Sequence, residues 1–249
     1  MSDKKVFVVM MTRNEDDIIG YNLEYLQTQH IDHFYIANNL STDNTSTILS
    51  DLSRKYNNIT VISDDEETYL QDQKMNKFID TCYDMGADYI LPIDSDEKWY
   101  SKIYGKTLGQ AVKQFDEPTV FGVELIDFLP DEDQVIVGSP FDEIKNVRCW
   151  YPSIPKVGYT SQRRSVLAMG NHNVFGHTGP IIRTVIGAYQ YQYRSWDHFL
   201  KKVRNNMTSI KEHPNRFMGT HWRRLIEMND EELREEWISI VRSDKYKVY

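Results

Sequence analysis

The sequence predicts an α/β protein built on a mostly parallel sheet. Two observations carry that reading. Apolar segments of strand length alternate with segments of helical period through residue 93. Beyond residue 100 the alternation weakens into an irregular second half that ends in amphipathic helices. At 249 residues the chain reads as one domain in two parts, residues 1–100 and 101–249.

Val6 to Met11 is a solid apolar run, fit for a strand buried on both faces. Ile19, Leu23 and Leu26 then recur at helical spacing. His33 to Ala37 reads as a second strand. A helix follows, with Ser41 or Thr42 as its N-cap and Ile48, Leu49, Leu52 and Tyr56 as its buried stripe. Ile59 to Ile62 is a third strand, Met75, Phe78, Ile79 and Cys82 mark a third helix, and Tyr89 to Ile93 is a fourth strand. Pro92 sits awkwardly there, because it cannot donate to a ladder. This β-α-β order implies a parallel sheet with helices on both faces. Later, Thr119 to Phe128 and Val135 to Val137 are strand-like, and residues 138–180 read as loops and short strands. Trp196, Phe199, Leu200, Val203, Met207 and Ile210 mark an amphipathic helix, and Leu225 to Val241 reads as a last one.

Composition excludes several classes. Hydrophobic residues make up 40% and charged residues 27%, which fits a globular protein. A net charge of −8 argues against a general nucleic-acid partner. Two cysteines, Cys82 and Cys149, cannot build a disulfide framework or a cysteine zinc site. No run approaches the ~20 apolar residues of a membrane span, and no signal-peptide core precedes Arg13. The expected location is the cytoplasm, with at most peripheral membrane contact. The four Asn-x-Ser/Thr sequons, from Asn39, Asn44, Asn58 and Asn206, then read as accidents.

In an open parallel sheet, ligands bind at the carboxyl ends of the strands. The segments there are Thr12-Arg13-Asn14-Glu15, Asn38 to Asp43, Ser63-Asp64-Asp65 and Asp94-Ser95-Asp96-Glu97, all polar. Asp94 and Asp96, two residues apart after an apolar strand, can share Mg²⁺ or Mn²⁺ through hard oxygen ligands. Such an ion can hold a diphosphate and stabilise it as a leaving group. The plainer reading is a turn or a cap. The Thr12 to Glu15 and Asn38 to Asp43 segments can clasp a nucleoside, or simply cap helices.

Gly170-Asn171-His172-Asn173-Val174-Phe175-Gly176-His177 carries two imidazoles that can serve as metal ligand or base, or lie idle in a surface loop. Its spacing is not that of a zinc protease. Residues 194–224 hold Arg194, Lys201, Lys202, Arg204, Lys211, Arg216, Arg223 and Arg224 against Asp197 and Glu212, a local balance of +6. Most of these fit the solvated face of a helix; Arg194, at the helix start, is the one expected to meet phosphate. No Gly-rich phosphate loop, Gly-x-Ser-x-Gly or Gly-x-Gly-x-x-Gly is present.

Arg13-Asn14-Glu15, Tyr35 to Asp43, Gln73-Lys74-Met75-Asn76 and Ile93-Asp94-Ser95-Asp96-Glu97 together resemble the family 2 glycosyltransferases. Tyr193-Arg194-Ser195 leading into Lys201 to Arg204 resembles the C-terminal helix of one branch. The likeness runs from about residue 6 to 206. It implies a GT-A fold, a Rossmann-like nucleotide-sugar-binding half joined to a variable acceptor half. It also implies inverting transfer from a nucleotide-diphosphate sugar to a glycan or lipid-linked acceptor, with UDP as the first carrier expected and dTDP or GDP as others. On the matching positions Thr12, Arg13, Asn14, Glu15, Asn39, Asp43, Asp65, Gln73, Asp94, Ser95 and Arg194 would bind the donor. Asp94 and Asp96, with His177, would hold Mn²⁺ or Mg²⁺. Asp127 is the preferred general base, with Asp131 and His172 as alternatives. Two positions depart from the pattern: Asn39 stands where many relatives carry Asp, and Gln190 where the branch often has His.

Two rival readings remain open at this point. A sugar-1-phosphate nucleotidyltransferase would want a glycine-rich loop after the first strand, which Thr12 to Glu15 lacks. A non-catalytic nucleotide- or carbohydrate-binding module would not need Asp94-Ser95-Asp96-Glu97 intact.

Overall fold

The computed structural model describes residues 4–66, 70–149, 154–211 and 220–248, and within the helices the side chains of 205–211 and 220–222 fall outside the description. In chain order the elements begin with β1 (Val6–Thr12), α1 (Ile19–Gln27), β2 (His33–Asn39), α2 (Thr45–Lys55), β3 (Ile59–Asp64), α3 (Gln71–Asp84) and β4 (Tyr89–Pro92). Next come β5 (Glu97–Ser101), α4 (Leu108–Val112), β6 (Val120–Leu129), α5 (Pro140–Glu143), β7 (Asn146–Arg148) and β8 (Lys156–Thr160). The short strands β9 (Val166–Leu167), β10 (Val174–Phe175), β11 (Ile181–Ile182) and β12 (Ile186–Gln190) follow. The chain ends with α6 (Trp196–Lys211), α7 (Thr220–Ile226), α8 (Asp230–Val241) and β13 (Lys245–Lys247).

The chain forms two units interleaved along the sequence. The first holds Met1–Asp64, Leu70–Ile126 and Pro152–Gln190; the second holds Asp65–Tyr69, Asp127–Tyr151 and Tyr191–Tyr249.

In the first unit β3, β2, β1 and β4 lie side by side in that order, all parallel. β8 adds antiparallel to β4, and the first part of β6 adds antiparallel to β8. Beyond β1 the strand order reverses: β2 and β3 lie to one side and β4 to the other. That makes the carboxyl ends of β1 and β4 the switch point of the sheet, the position at which open α/β sheets bind ligands. Both faces are covered. Val8, Met10, Leu23, Leu26, Leu49, Leu91 and Trp99 pack on one side. Phe7, Val9, Met75, Phe78, Ile79 and Cys82 pack on the other. Alternate residues of β1 thus enter opposite cores, which explains its unbroken apolar run. Pro92 ends β4 beyond its pairing with β8, which uses only Tyr89 and Ile90.

The second unit is a helical cluster with a small β ribbon. Phe199, Val203, Leu225, Ile226, Leu233 and Trp237 form its core. The end of β6 pairs with β7, and β7 with β13.

The expected α/β class and the first four strands are observed, with three local corrections. Val135 to Val137 is not a strand: the backbone amides of Val137 and Gly138 bind the Glu143 carboxylate instead. The expected last helix is two helices, because Asn229 caps a fresh start with Glu232 in a reciprocal capping box. α2 begins at Thr45 with Asn44 as N-cap, because Ser41 and Thr42 are committed to Asn14. Met207 and Ile210 lie in α6, with side chains outside the description. Among the described residues no helix is long and apolar enough to cross a membrane.

Candidate active site

The site is built from the loops that follow β1 and β4. Thr12 ends β1, and its Oγ1 lies 3.0 Å from Ser95 Oγ, so the two strand ends are tied directly at the switch point. Ser95 is buried, and its backbone carbonyl accepts from Asn22 Nδ2 at 2.8 Å. The same Nδ2 reaches the Glu97 carbonyl at 3.0 Å. Asn22, fully buried on α1, therefore clamps the Asp94 to Glu97 turn from beneath.

The carboxylates of that turn differ in environment. Asp94 keeps 30% of its side chain exposed, Asp96 is buried at 6%, and Glu97 is fully buried. Lys156, arriving from β8, bonds Asp94 Oδ2 and lies 3.1 Å from Glu97 Oε1. Asn171 Nδ2 donates to Asp94 Oδ1 at 2.9 Å. Trp99 Nε1 donates to Glu97 Oε2 at 2.9 Å. Burial raises the Glu97 carboxyl pKa; Lys156 opposes this, and Asp94 and Asp96 add to it. Burial also works against the Lys156 ammonium, but Asp94 and Glu97 outweigh it and hold its pKa above the usual lysine range.

Asn171 and His172 come from the turn between β9 and β10, which α3 holds in place. Asn76 binds Leu167 through both its backbone carbonyl (2.9 Å) and its amide (2.8 Å), and Gln71 Oε1 accepts from the Gly170 amide at 2.9 Å. Gly170 has φ +71°, and a Cβ there would lie 2.7 Å from His172 Nε2, so only glycine leaves room for the ring. His172 Nδ1 lies 3.1 Å from the Pro155 carbonyl. A carbonyl can only accept, so Nδ1 carries the proton and Nε2 keeps its lone pair. Burial, then Lys156, lowers the His172 pKa, so the ring is neutral near pH 7.

The loops after β1 and β2 are locked together. Asn14 Oδ1 accepts from the Thr42 amide at 2.7 Å, and Ser41 Oγ accepts from the Asn14 amide at 3.0 Å. The Glu15 amide donates to Thr45 Oγ1, and Glu15 is buried. Asn14 and Leu40 both hold positive φ, 55° and 51°, at these loop corners. Asp43 Oδ1 accepts from the Thr45 amide, and its Oδ2 from the Asp16 amide. That is capping and loop bracing. Asn39 Nδ2 binds Asp64, whose carboxylate is paired with Lys74 at 2.8 Å. Arg13 Nε is buried without a hydrogen-bond partner.

The expected residues therefore separate. Thr12, Ser95, Asp94 and Asp96 meet at the switch point, and His172 neighbours Asn171 on Asp94. Gln73 is exposed on α3, where Gln71, Lys74 and Asn76 make the contacts instead. Asp65 is exposed just past β3, whereas Asp64 carries the network there. His177 is not brought to Asp94. Its Nε2 lies 3.1 Å from Thr160 Oγ1, and Thr160 pairs with Tyr89 at the opposite end of β4. Its Nδ1 accepts from the Gly179 amide. Both ring nitrogens are thus spent on fastening a loop. In the second unit Arg194 is 1% exposed and donates from Nη1 to the Tyr191 carbonyl. Asp127 there lies 3.7 Å from Arg148. Of the basic stretch, Arg204 pairs with Asp230 and Arg224 with Glu236, as expected of a solvated face; Arg216 lies outside the described residues. Gln190 pairs in register with Glu97, at the edge of the acidic turn.

Sequence reasoning missed Asn22 and Lys156, and it gave Asn171 and Asp64 no role of their own within the segments that hold them. Each bonds a partner at least 25 residues away, and no local motif announces such a contact.

Comparison with solved structures finds distant likenesses. Residues 1–349 of S. aureus TarS in complex with UDP-GlcNAc share 15% identity at a TM-score of 0.48, covering 96% of this chain and 74% of that one. HddC from Yersinia pseudotuberculosis complexed with GMP-PN shares 12% at a TM-score of 0.36, covering 75% and 90%. No curated protein sequence matches. The family model described as glycosyl transferase family 2 matches residues 7–189, a span that holds β1 to β4, the Asp94 turn and the Asn171 loop. The chain belongs to glycosyl transferase family 2, and it is a glycosyltransferase of GT-A fold.

Proposed function

We propose that the protein transfers a sugar, with inversion, from a UDP-linked donor to a hydroxyl of a glycan or lipid-linked acceptor. The observation that carries this is the convergence of Thr12, Ser95, Asp94 and Asp96 at the switch point of the parallel sheet, in a chain of this family. The donor's diphosphate lies against the Asp94 turn, and its nucleoside lies along the loops after β1 and β2. Of the expected clasp residues, Arg13 and Asn39 face the nucleoside in this reading, while Asp43 holds the loops in place. The oxygen donors fit a divalent cation. Asp94 is partly exposed, and Asn171 Oδ1 beside it is a buried acceptor without a hydrogen-bond partner. Asp94 and Asp96 would hold Mn²⁺ or Mg²⁺, which supplies positive charge to the diphosphate as it leaves.

The acceptor hydroxyl must lose its proton as the sugar moves. His172 suits this task best: it is neutral, its Nδ1–H is fixed on Pro155, and Nε2 is left basic. Asp127 lies 3.7 Å from Arg148 and serves as its ion-pair partner.

A thermal-shift panel of nucleotide-sugars with and without Mn²⁺ tests the donor, because a ligand of the native state raises its midpoint by mass action. Product analysis tests the reaction. Release of UDP with the donor identified fits transfer or donor hydrolysis. Release of pyrophosphate from a nucleoside triphosphate and a sugar phosphate would instead establish nucleotidyl transfer. Binding with no turnover of any donor would establish a binding module.

A further inference from the structure

Lys156 has no part in the donor site as just described, yet it lies at the centre of the acidic turn. It begins β8, paired in register with Val123 of β6, and its side chain is 5% exposed. The ammonium bonds Asp94 Oδ2 and sits 3.1 Å from Glu97 Oε1, a carboxylate with no exposure at all. A buried ammonium needs such counter-charges, and removing one partner leaves the other uncompensated. Asp94 is also the carboxylate that a divalent cation would use. An ammonium and a dication on one carboxylate repel each other strongly at contact distances in a partly buried site. The other oxygen of Asp94 already takes the Asn171 Nδ2 hydrogen. Within the protein alone, both oxygens of Asp94 are therefore engaged. A diphosphate changes the balance, because its negative charge restores the demand for a dication that Lys156 alone cannot meet.

We propose that Lys156 is a built-in counter-ion that weakens divalent-cation binding by Asp94 and Asp96 in the free protein, so that the cation is taken up with the donor's diphosphate rather than before it. This rests on the donor reading above and adds the order in which the site is loaded. By reciprocity, whatever UDP does to Mn²⁺ affinity, Mn²⁺ does equally to UDP affinity.

The test titrates Mn²⁺ alone and follows the free ion by electron paramagnetic resonance, in the wild type, Lys156→Met, Lys156→Arg and the double variant Lys156→Met with Glu97→Gln. The double variant keeps the buried charges balanced and decides the matter should Lys156→Met fail to fold. The expected result is Mn²⁺ affinity at least about tenfold tighter in the charge-removed variants than in the wild type or Lys156→Arg. Repeating the titration with UDP should tighten Mn²⁺ binding in the wild type and do so less in the charge-removed variants. Folded charge-removed variants with wild-type affinity for Mn²⁺ alone would overturn the proposal, as would UDP-independent, equally tight Mn²⁺ binding in all four proteins. UDP that does not bind the wild type even with Mn²⁺ present would refute the donor reading separately, since the Mn²⁺-alone comparison contains no nucleotide.

Discussion

Asn22 is the residue whose removal the structure evaluates most directly. It is fully buried on α1, and one nitrogen, Nδ2, donates to two carbonyls, Ser95 at 2.8 Å and Glu97 at 3.0 Å. Its Oδ1 is buried without a partner, so the donor bonds alone fix the orientation of the amide. Asn22→Ala removes both bonds. Each is worth about 1 kcal/mol net, and each carbonyl left dry adds about 1–3 kcal/mol, less whatever water or relaxation restores. A loss of about 2–4 kcal/mol is expected, or roughly 5–15 °C in melting temperature for a chain of this size. Asn22→Asp is the sharper test, because it keeps the shape and replaces the donor with an oxygen that faces two carbonyls. Burial raises its carboxyl pKa above the unfolded value of about 3.9. The penalty therefore sets in as pH rises through that unfolded value and is complete above the folded one. Asn22→Asp should be worse than Asn22→Ala at pH 7, and its deficit should shrink toward pH 4. Hydrogen exchange gives the local readout: amides of Ser95 to Glu97 should exchange faster while those of Val6 to Met10 hold. A melting temperature within about 2 °C of wild type, with unchanged exchange at Ser95 to Glu97, would refute the clamp.

Four further outcomes are expected. Asp96→Asn should abolish Mn²⁺-dependent UDP binding, read by calorimetry, in a protein that still melts cooperatively; Asn is chosen over Ala because Asp96 is only 6% exposed. Asp43→Ala should lower stability by about 1–2 kcal/mol through the lost cap and brace, with UDP affinity unchanged, and a loss of affinity larger than the loss of stability would return Asp43 to the nucleoside. His172→Ala should reduce kcat far more than it weakens donor binding, since a base acts in the transition state; a matching fall in Asp127→Asn alone would move the role to Asp127. Burial lowers the pKa of His33, His172 and His177 below 6.5, so the native state binds fewer protons than the unfolded chain and stability must fall as pH drops below about 6.5. Melting curves from pH 7.5 to 5 should show the fall, and His177→Gln should reduce it.

The parallel half of the fold was legible because its signal is local. β1 alternates between two cores, so every residue of the run must be apolar, and no partner need be known to see it. The same holds for Met75, Phe78, Ile79 and Cys82 on α3, all buried as their spacing requires. The Asp94 turn was legible for a different reason: the carboxyl end of a fourth parallel strand is a place with a rule attached. Where a rule could be satisfied twice, the reading went astray. Ser41, Thr42 and Asn44 are all good caps, and only the position of Asn14, on another loop, decides that Ser41 and Thr42 serve it instead. Asn229 shows the opposite case. Its capping box with Glu232 was written in the sequence, yet the surrounding apolar period ran on and concealed the break.

What sequence could not show is how the acidic turn is neutralised, and the reason is physical. The turn packs three carboxylates into four consecutive residues, so some cation must come from elsewhere in the chain or from solution. Nothing local names it. Lys156 begins a short strand within the irregular stretch 138–180, where a lysine costs nothing if it points outward. It points inward because Glu97 is drawn into the core by the Trp99 indole and the Asp94 amide, and a fully buried carboxylate demands a partner. Asn171 follows from the same constraint: Asp94 has an oxygen left over, and the left-handed pair Gly170 and Asn171 turns an amide toward it. The two imidazoles of that loop then divide by distance along β4. His172 stays with the turn at the carboxyl end, while His177 is carried to Thr160, opposite Tyr89 at the start of the strand. A spacing of five residues could not tell these fates apart; strand β10, which lies between them and pairs back with β9, does.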